Sequence, residues 1–160
     1  MDDKEVQGTY NYRKLSQWIA TAGQPTEEEL VAVVRAGYRV VINLGLHDGA
    51  YALPDERGLV QSLGLDYIHI PVAWERPTKA DFGRFLEVMD ACKGKSLFVH
   101  CAANKRVSAF MALYRVVRLG WPVERALEDM RGLQFPEPWQ QFMDDVLNDS
   151  AGSAGWLGVL

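Results

Sequence analysis

Short stretches of strand character alternate along this chain with longer stretches of helical period. Arg39–Leu44 is a β-branched run suited to a buried strand. Leu97–Val99 is a shorter apolar run of the kind covered on both faces. Ser16–Ala22 and Asp66–Ile70 supply two further strands. Between them, Thr26-x-x-Glu29 forms a capping box ahead of a stripe made by Leu30, Val33 and Val34, and Gly37 ends that helix. The acidic run Glu27–Glu29 sits in its first turn, facing the positive end of the helix dipole. Pro54–Leu63 and a helix from the Thr78-x-x-Asp81 box to about Cys92 fill the next gaps. Phe110, Leu113, Tyr114 and Val117 mark an apolar stripe on a helix over Val107–Leu119. Helices over Val123–Gly132 and from Pro136 or Pro138 to about Leu147 complete the set. Strands alternating with helices predict a three-layer α/β fold, with a central mainly parallel sheet of four to five strands.

Composition narrows the class. At 160 residues, 48% hydrophobic and 24% charged, the chain has enough apolar material for one substantial core. The reading is one domain over 1–149 with a small-residue, glycine-rich tail over 150–160. Residues before Tyr10 are polar and are expected to fray. A net charge of −4 gives no reason to expect a nucleic-acid surface. No stretch approaches the roughly 20 apolar residues that cross a bilayer, so no membrane partner is expected. The acidic start, Met1–Glu5, lacks a signal-peptide core, which gives a cytoplasmic reading. Two cysteines do not make a disulfide framework. His47, His69 and His100 are scattered, so neither a metal nor another cofactor is expected. Arg115 and Arg118 read as solvated. His47 and Asp48 lie in the loop after Arg39–Leu44, at the strand end where α/β proteins place ligand contacts.

The chemistry concentrates in Leu97–Phe110. Here an apolar strand passes through His100, Cys101, Ala102, Ala103, Asn104, Lys105, Arg106 and Val107 into a helix. A strand–loop–helix of this kind aims successive backbone N–H groups and a helix N-terminus at one spot, which makes an anion site. The same positive field favours the thiolate form of Cys101. An anion cradle beside an activated sulfur points to nucleophilic chemistry on an oxyanion. The competing reading of Cys101 is an inert thiol ending a core strand.

The stretch resembles the signature loop of the cysteine-dependent protein tyrosine and dual-specificity phosphatases: His-Cys, five residues, Arg, then Ser or Thr. His100, Cys101 and Ser108 fall at matching places. Arg106 stands five residues after Cys101, giving Cys-x4-Arg, and Val107 occupies the family's arginine position. Asn104 stands where glycine is usual, and asparagine tolerates a left-handed backbone. Tyr12, Ala22–Thr26, Val41–Leu44, Ile70–Val72 and Pro77–Thr78 look like a bacterial branch of the same superfamily.

The resemblance implies Cys101 as nucleophile, Arg106 as phosphate clamp and Ser108 as the residue that helps the thiolate leave. His100 would order the loop, and Ala102, Ala103, Asn104, Lys105 and Val107 would complete the phosphate cradle. The family's mobile loop carries an aspartate general acid. Pro71–Pro77 has none, Ala73 takes the expected place, and Glu75 is the nearest carboxylic acid. The implied activity is phosphomonoester hydrolysis on a phosphorylated protein, lipid or small molecule, without a cofactor, by a monomer or weak homo-oligomer. Two alternatives accompany it. One is a catalytically silent phosphate- or phosphoprotein-binding module that kept the cradle. The other rests on the six-residue span Cys101–Arg106, which is similar to the loop of rhodanese sulfurtransferases and would place a persulfide on Cys101.

Overall fold

The computed structural model describes residues 1–151. Five strands form one sheet in the order β1-β2-β5-β3-β4. They are β1 (Arg13–Lys14), β2 (Ile19–Ala22), β3 (Val40–Asn43), β4 (Asp66–His69) and β5 (Leu97–His100). Only β1 runs antiparallel, against β2; the other pairs are parallel. The helices are α1 (Glu27–Ala36), α2 (Glu56–Ser62), α3 (Lys79–Ala91), α4 (Lys105–Val117), α5 (Val123–Ala126) and α6 (Glu137–Ala151). The three-layer α/β expectation therefore holds.

Local chemistry explains most boundaries. The Thr26 hydroxyl accepts from Glu29 N at 3.1 Å while Glu29 Oε1 accepts from Thr26 N at 2.9 Å, so the capping box closes in both directions. Gly37 ends α1 at φ 103°, a left-handed conformation that glycine adopts without steric cost. At α3, Thr78 accepts from Asp81 N at 3.0 Å. Helix α4 begins two residues earlier than its apolar stripe suggests, which brings Lys105 and Arg106 into its first turn.

The sheet separates two cores. Strand side chains alternate between faces. Val40, Ile42, Leu97, Val99 and Cys101 face the interior shared with α3, α4 and α6. Val41, Tyr67 and Phe98 face the one shared with α1 and α2. In the final register row, Ala22 pairs with His100, His100 with Asn43, and Asn43 with His69. Three polar residues thus end neighbouring strands in one row, and the next residue of β5's path, Cys101, turns to the opposite face.

Four expectations change. Residues before Tyr10 are anchored: Val6 is fully buried, and Asp3 accepts hydrogen bonds from Tyr12, Tyr38 and Lys14. The region expected as one helix over Val123–Gly132 is the single turn α5 followed by a 3-10 turn, Leu127–Met130. Arg115 is buried, donating to Asp129 Oδ2 at 2.6 Å with its guanidinium over Trp121; only Arg118 of that pair is exposed, and it meets Asp90. Helix α6 continues to Ala151, past the expected start of the tail, and the remainder of the tail lies outside the described residues.

Candidate active site at the end of the central strand

The loop after β5 is shaped by the chain on either side of β1 and β2. Cys101 N donates to Ala22 O at 3.3 Å, and Gln24 N donates to Ala102 O at 2.9 Å. Gly23 faces Ala103 in an isolated bridge. A Cβ at Gly23 would lie 2.6 Å from Ala102 O, so only glycine permits this backbone approach. Asn11 Nδ2 donates to Ala103 O at 3.0 Å, and Asn104 Nδ2 returns to Asn11 O at 2.8 Å and Thr21 Oγ1 at 3.0 Å. Asn104 stands at φ 66°, the left-handed conformation that lets the loop turn into α4. The loop's carbonyls are thus tied outward, and the first N–H groups of α4 have no intrahelical acceptor.

His100 is fully buried and faces away from Cys101's side of the sheet. Its Nε2 lies 2.6 Å from Glu56 Oε2, and its Nδ1 lies 3.2 Å from Cys101 O. Glu56, in the first turn of α2, is 4% exposed and also accepts from Gln24 Nε2 at 2.8 Å. Burial alone would raise the Glu56 carboxyl. The hydrogen bonds from His100 and Gln24, with the charge of His100, outweigh it and hold the group below its ordinary value. Glu56 therefore holds His100, and His100 in turn meets the carbonyl of Cys101.

Cys101 is 1% exposed and Arg106 is 5% exposed. Arg106 Nη1 donates to Val72 O at 2.7 Å, and Nη2 donates to Tyr51 Oη at 3.2 Å. A guanidinium has five N–H groups, so these two bonds leave others available to an anion. Ser108 Oγ donates to Asn104 Oδ1 at 3.3 Å, so its proton supports the loop's turn. Val107, at the family's arginine position, is fully buried in the α4 core. Lys105 lies with Nζ 5.9 Å from the centre of the Trp74 ring. Trp74 is in turn held by Trp139, whose Nε1 donates to Trp74 O at 2.7 Å. Glu75, beside Trp74, is exposed and forms no ion pair among the described residues. Ala102 and Ala103 are partly buried.

Sequence spacing did not bring together His47 and His69, yet their rings stack with centroids 3.7 Å apart. His47 Nε2 lies 2.8 Å from Tyr67 Oη, and His69 Nε2 lies 2.6 Å from Gly45 O. Burial holds the His69 imidazole below its ordinary value. Among the described residues, no three His, Cys, Asp or Glu side chains are grouped so as to hold a metal ion. Cys92 is buried, and burial pushes its thiol up. Glu56 and Tyr51 were not singled out from the sequence. Their partners stand far away along the chain, and only the capping pattern around Asp55–Glu56 marked that segment as ordered.

A cavity of about 800 Å³ lies between the Leu127–Met130 turn and α6. Its lining includes Glu128, Arg131, Phe135 and Met143 but no residue of the Cys101 loop. No helix among the described residues is long and apolar enough to cross a membrane.

The chain matches the family model described as DSP-PTPase phosphatase fused to NAD+ kinase over residues 3–143. It is 33% identical to a DUF442 candidate phosphatase from Shewanella putrefaciens CN-32, whose crystal structure superposes with a TM-score of 0.86 over 93% of this chain and 99% of that one. TpbA from P. aeruginosa, solved in complex with pTyr, shares the fold at 20% identity and a TM-score of 0.64, over 93% of this chain and 85% of that one. A beta-lactamase hydrolase-like protein from Xylella fastidiosa is 30% identical over 106 residues, which are 64% of this chain and 24% of the relative. The match thus spans about a quarter of that curated relative's length.

Proposed function

Because the chain belongs to the DSP-PTPase phosphatase family, we propose that it hydrolyses phosphomonoesters through a phosphocysteine on Cys101. The observation that carries this reading is the buried Cys101 at the mouth of a loop whose following helix opens with Lys105 and Arg106. The Cys101 thiolate attacks phosphorus, and the bond to the leaving oxygen breaks as the sulfur–phosphorus bond forms. The N–H groups of Arg106 not engaged by Val72 and Tyr51 hold phosphate oxygens, as a planar guanidinium does well. Water then attacks the phosphocysteine, releasing phosphate and the thiolate. His100 and Asn104 keep the loop in shape through the hydrogen bonds described above, with Ser108 bracing Asn104. Glu75 is the one carboxylic acid of the Pro71–Pro77 segment, and Glu75→Gln tests whether it donates any proton at all. The substrate is a phosphorylated protein, lipid or small molecule.

The test is hydrolysis of p-nitrophenyl phosphate by wild type and Cys101→Ser between about pH 5 and 8, the range over which a lowered thiol pKa makes the thiolate. Turnover that vanishes in the variant supports the thiolate mechanism. Wild type that binds vanadate without turnover overturns hydrolysis in favour of a silent anion-binding module.

One observation favours a second reading. Cys101 and Arg106 bound a six-residue loop, and the Pro71–Pro77 segment has no aspartate. Sulfur transfer through a Cys101 persulfide uses such a loop and needs no acid on a leaving alkoxide. Thiocyanate formation from thiosulfate and cyanide, lost in Cys101→Ser, decides for it.

A further inference from the structure

If Cys101 and Arg106 act on a phosphoester as above, the leaving oxygen needs a proton, and the segment that would carry an aspartate has Ala73 at the expected place. Glu75 is exposed and is engaged by no cation among the described residues. The loop on the other side of Arg106 holds a different donor. The Tyr51 hydroxyl accepts two N–H groups, from Leu46 N at 2.9 Å and Arg106 Nη2 at 3.2 Å. A phenol oxygen has one proton and limited acceptor capacity. With two donors already on the oxygen, its own proton is left to donate, and no acceptor takes it among the described residues. The ring is fixed as well: it lies against Gly45 and Gly49, and the Arg106 guanidinium sits 5.8 Å from its centre.

A group in hydrogen-bond contact with the clamp guanidinium lies within reach of whatever anion that guanidinium holds. We propose that Tyr51 is a catalytic residue whose hydroxyl donates its proton to the leaving oxygen of the phosphoester held by Arg106. As the Cys101 sulfur bonds to phosphorus and the phosphorus–oxygen bond breaks, that oxygen takes the Tyr51 proton and departs as the alcohol. The phenolate, flanked by Arg106, takes a proton back from the water that attacks the phosphocysteine. Phosphate and the Cys101 thiolate leave with no net change in the enzyme. This inference rests on the phosphatase reading and assigns its missing acid.

Tyr51→Phe keeps the ring against Gly45 and Gly49 and removes only the hydroxyl. The experiment compares kcat for phenyl phosphate, whose leaving group needs a proton, with kcat for 2,4-dinitrophenyl phosphate, whose leaving group does not. The expected result for Tyr51→Phe is a loss of roughly 10²-fold or more on phenyl phosphate, the scale of a general acid, with little change on the dinitrophenyl ester. Glu75→Gln is expected to show no such dependence on the leaving group. Equal losses on both esters in Tyr51→Phe, with vanadate binding weakened, would mean that Tyr51 only positions Arg106 and would overturn the acid role. A leaving-group-dependent loss in Glu75→Gln and none in Tyr51→Phe would overturn it too. Wild type that hydrolyses neither ester removes the phosphatase reading itself, and the acid role with it.

Discussion

His100 and Cys101 are consecutive residues that look into two different interiors. On the side of Cys101, the space under the sheet is filled by hydrocarbon: Phe82, Phe85, Phe110, Trp139 and Phe142 meet ring against ring, with Phe82 and Phe110 centred 5.3 Å apart. On the side of His100, the strand ends meet Glu56, Gln24, Asn43 and Tyr67, and the same space is closed by hydrogen bonds. Dispersion and burial tolerate small shifts, and their energy grows with area. A buried hydrogen-bonded pair fails if its partners move, because a buried polar group is costly to leave unsatisfied. The first side supplies bulk stability, and the second fixes the geometry of the strand ends beside Cys101.

The sharpest way to break this comparison is at the boundary itself. Cys101→Ser is expected to reduce phosphoester turnover to background while the thermal midpoint stays close to wild type, read by p-nitrophenyl phosphate hydrolysis and calorimetry. A large drop in the midpoint would place Cys101 with the core, as a packing residue. Next comes the hydrocarbon side. Phe110→Ala removes a fully buried ring at the centre of the aromatic cluster and is expected to destabilise by about 3–5 kcal/mol in urea unfolding.

The polar side should respond with similar size but a different signature. Glu56→Ala leaves His100 buried without its partner, an expected loss of about 3–5 kcal/mol, whereas Glu56→Gln keeps an acceptor and loses less. The Glu56 carboxyl titrates lower in the folded protein than its ordinary value of 4.5. Its contribution is therefore complete above that value and is lost as pH falls through the lowered one. Wild type should lose stability in acid more steeply than Glu56→Gln, and parallel curves would contradict the lowered Glu56 carboxyl. The smallest effect is expected at the start of α1. Thr26→Ala opens the capping box there and should cost about 1 kcal/mol with little change in turnover.

The sequence made the alternation of elements legible because strand runs and capping boxes are local signals: Arg39–Leu44, Thr26–Glu29 and Thr78–Asp81 each carry theirs within a few residues. The strand–loop–helix around Cys101 was legible for the same reason. What escaped was long-range. Nothing near Arg115 announces Asp129, so a cation on an apparently exposed face turned out to be buried. Nothing near Arg106 announces Tyr51, and nothing near His100 announces Glu56. His47 and His69 have no common spacing until β3 and β4 lie side by side. The two-residue β1 is too short for any periodicity, and its pairing with β2 defines it. Sequence pattern shows the covalently near half of this site, and the sheet supplies the rest.

The backbone approach at Gly23 bears on the order in which the molecule assembles. The carbonyls of Ala102 and Ala103 are held by Gln24 and Asn11, from the opposite half of the chain. Contacts so distant in sequence close late and pay loop-closure entropy before they return any stability. A newly made segment carrying Cys101, Arg106 and all of α4 holds every reactive atom of the loop but none of the partners that bend it. Cys101 is 1% exposed beside the β2–β5 pairing, so its labelling by a thiol reagent is expected to report on the docking of β2 against β5.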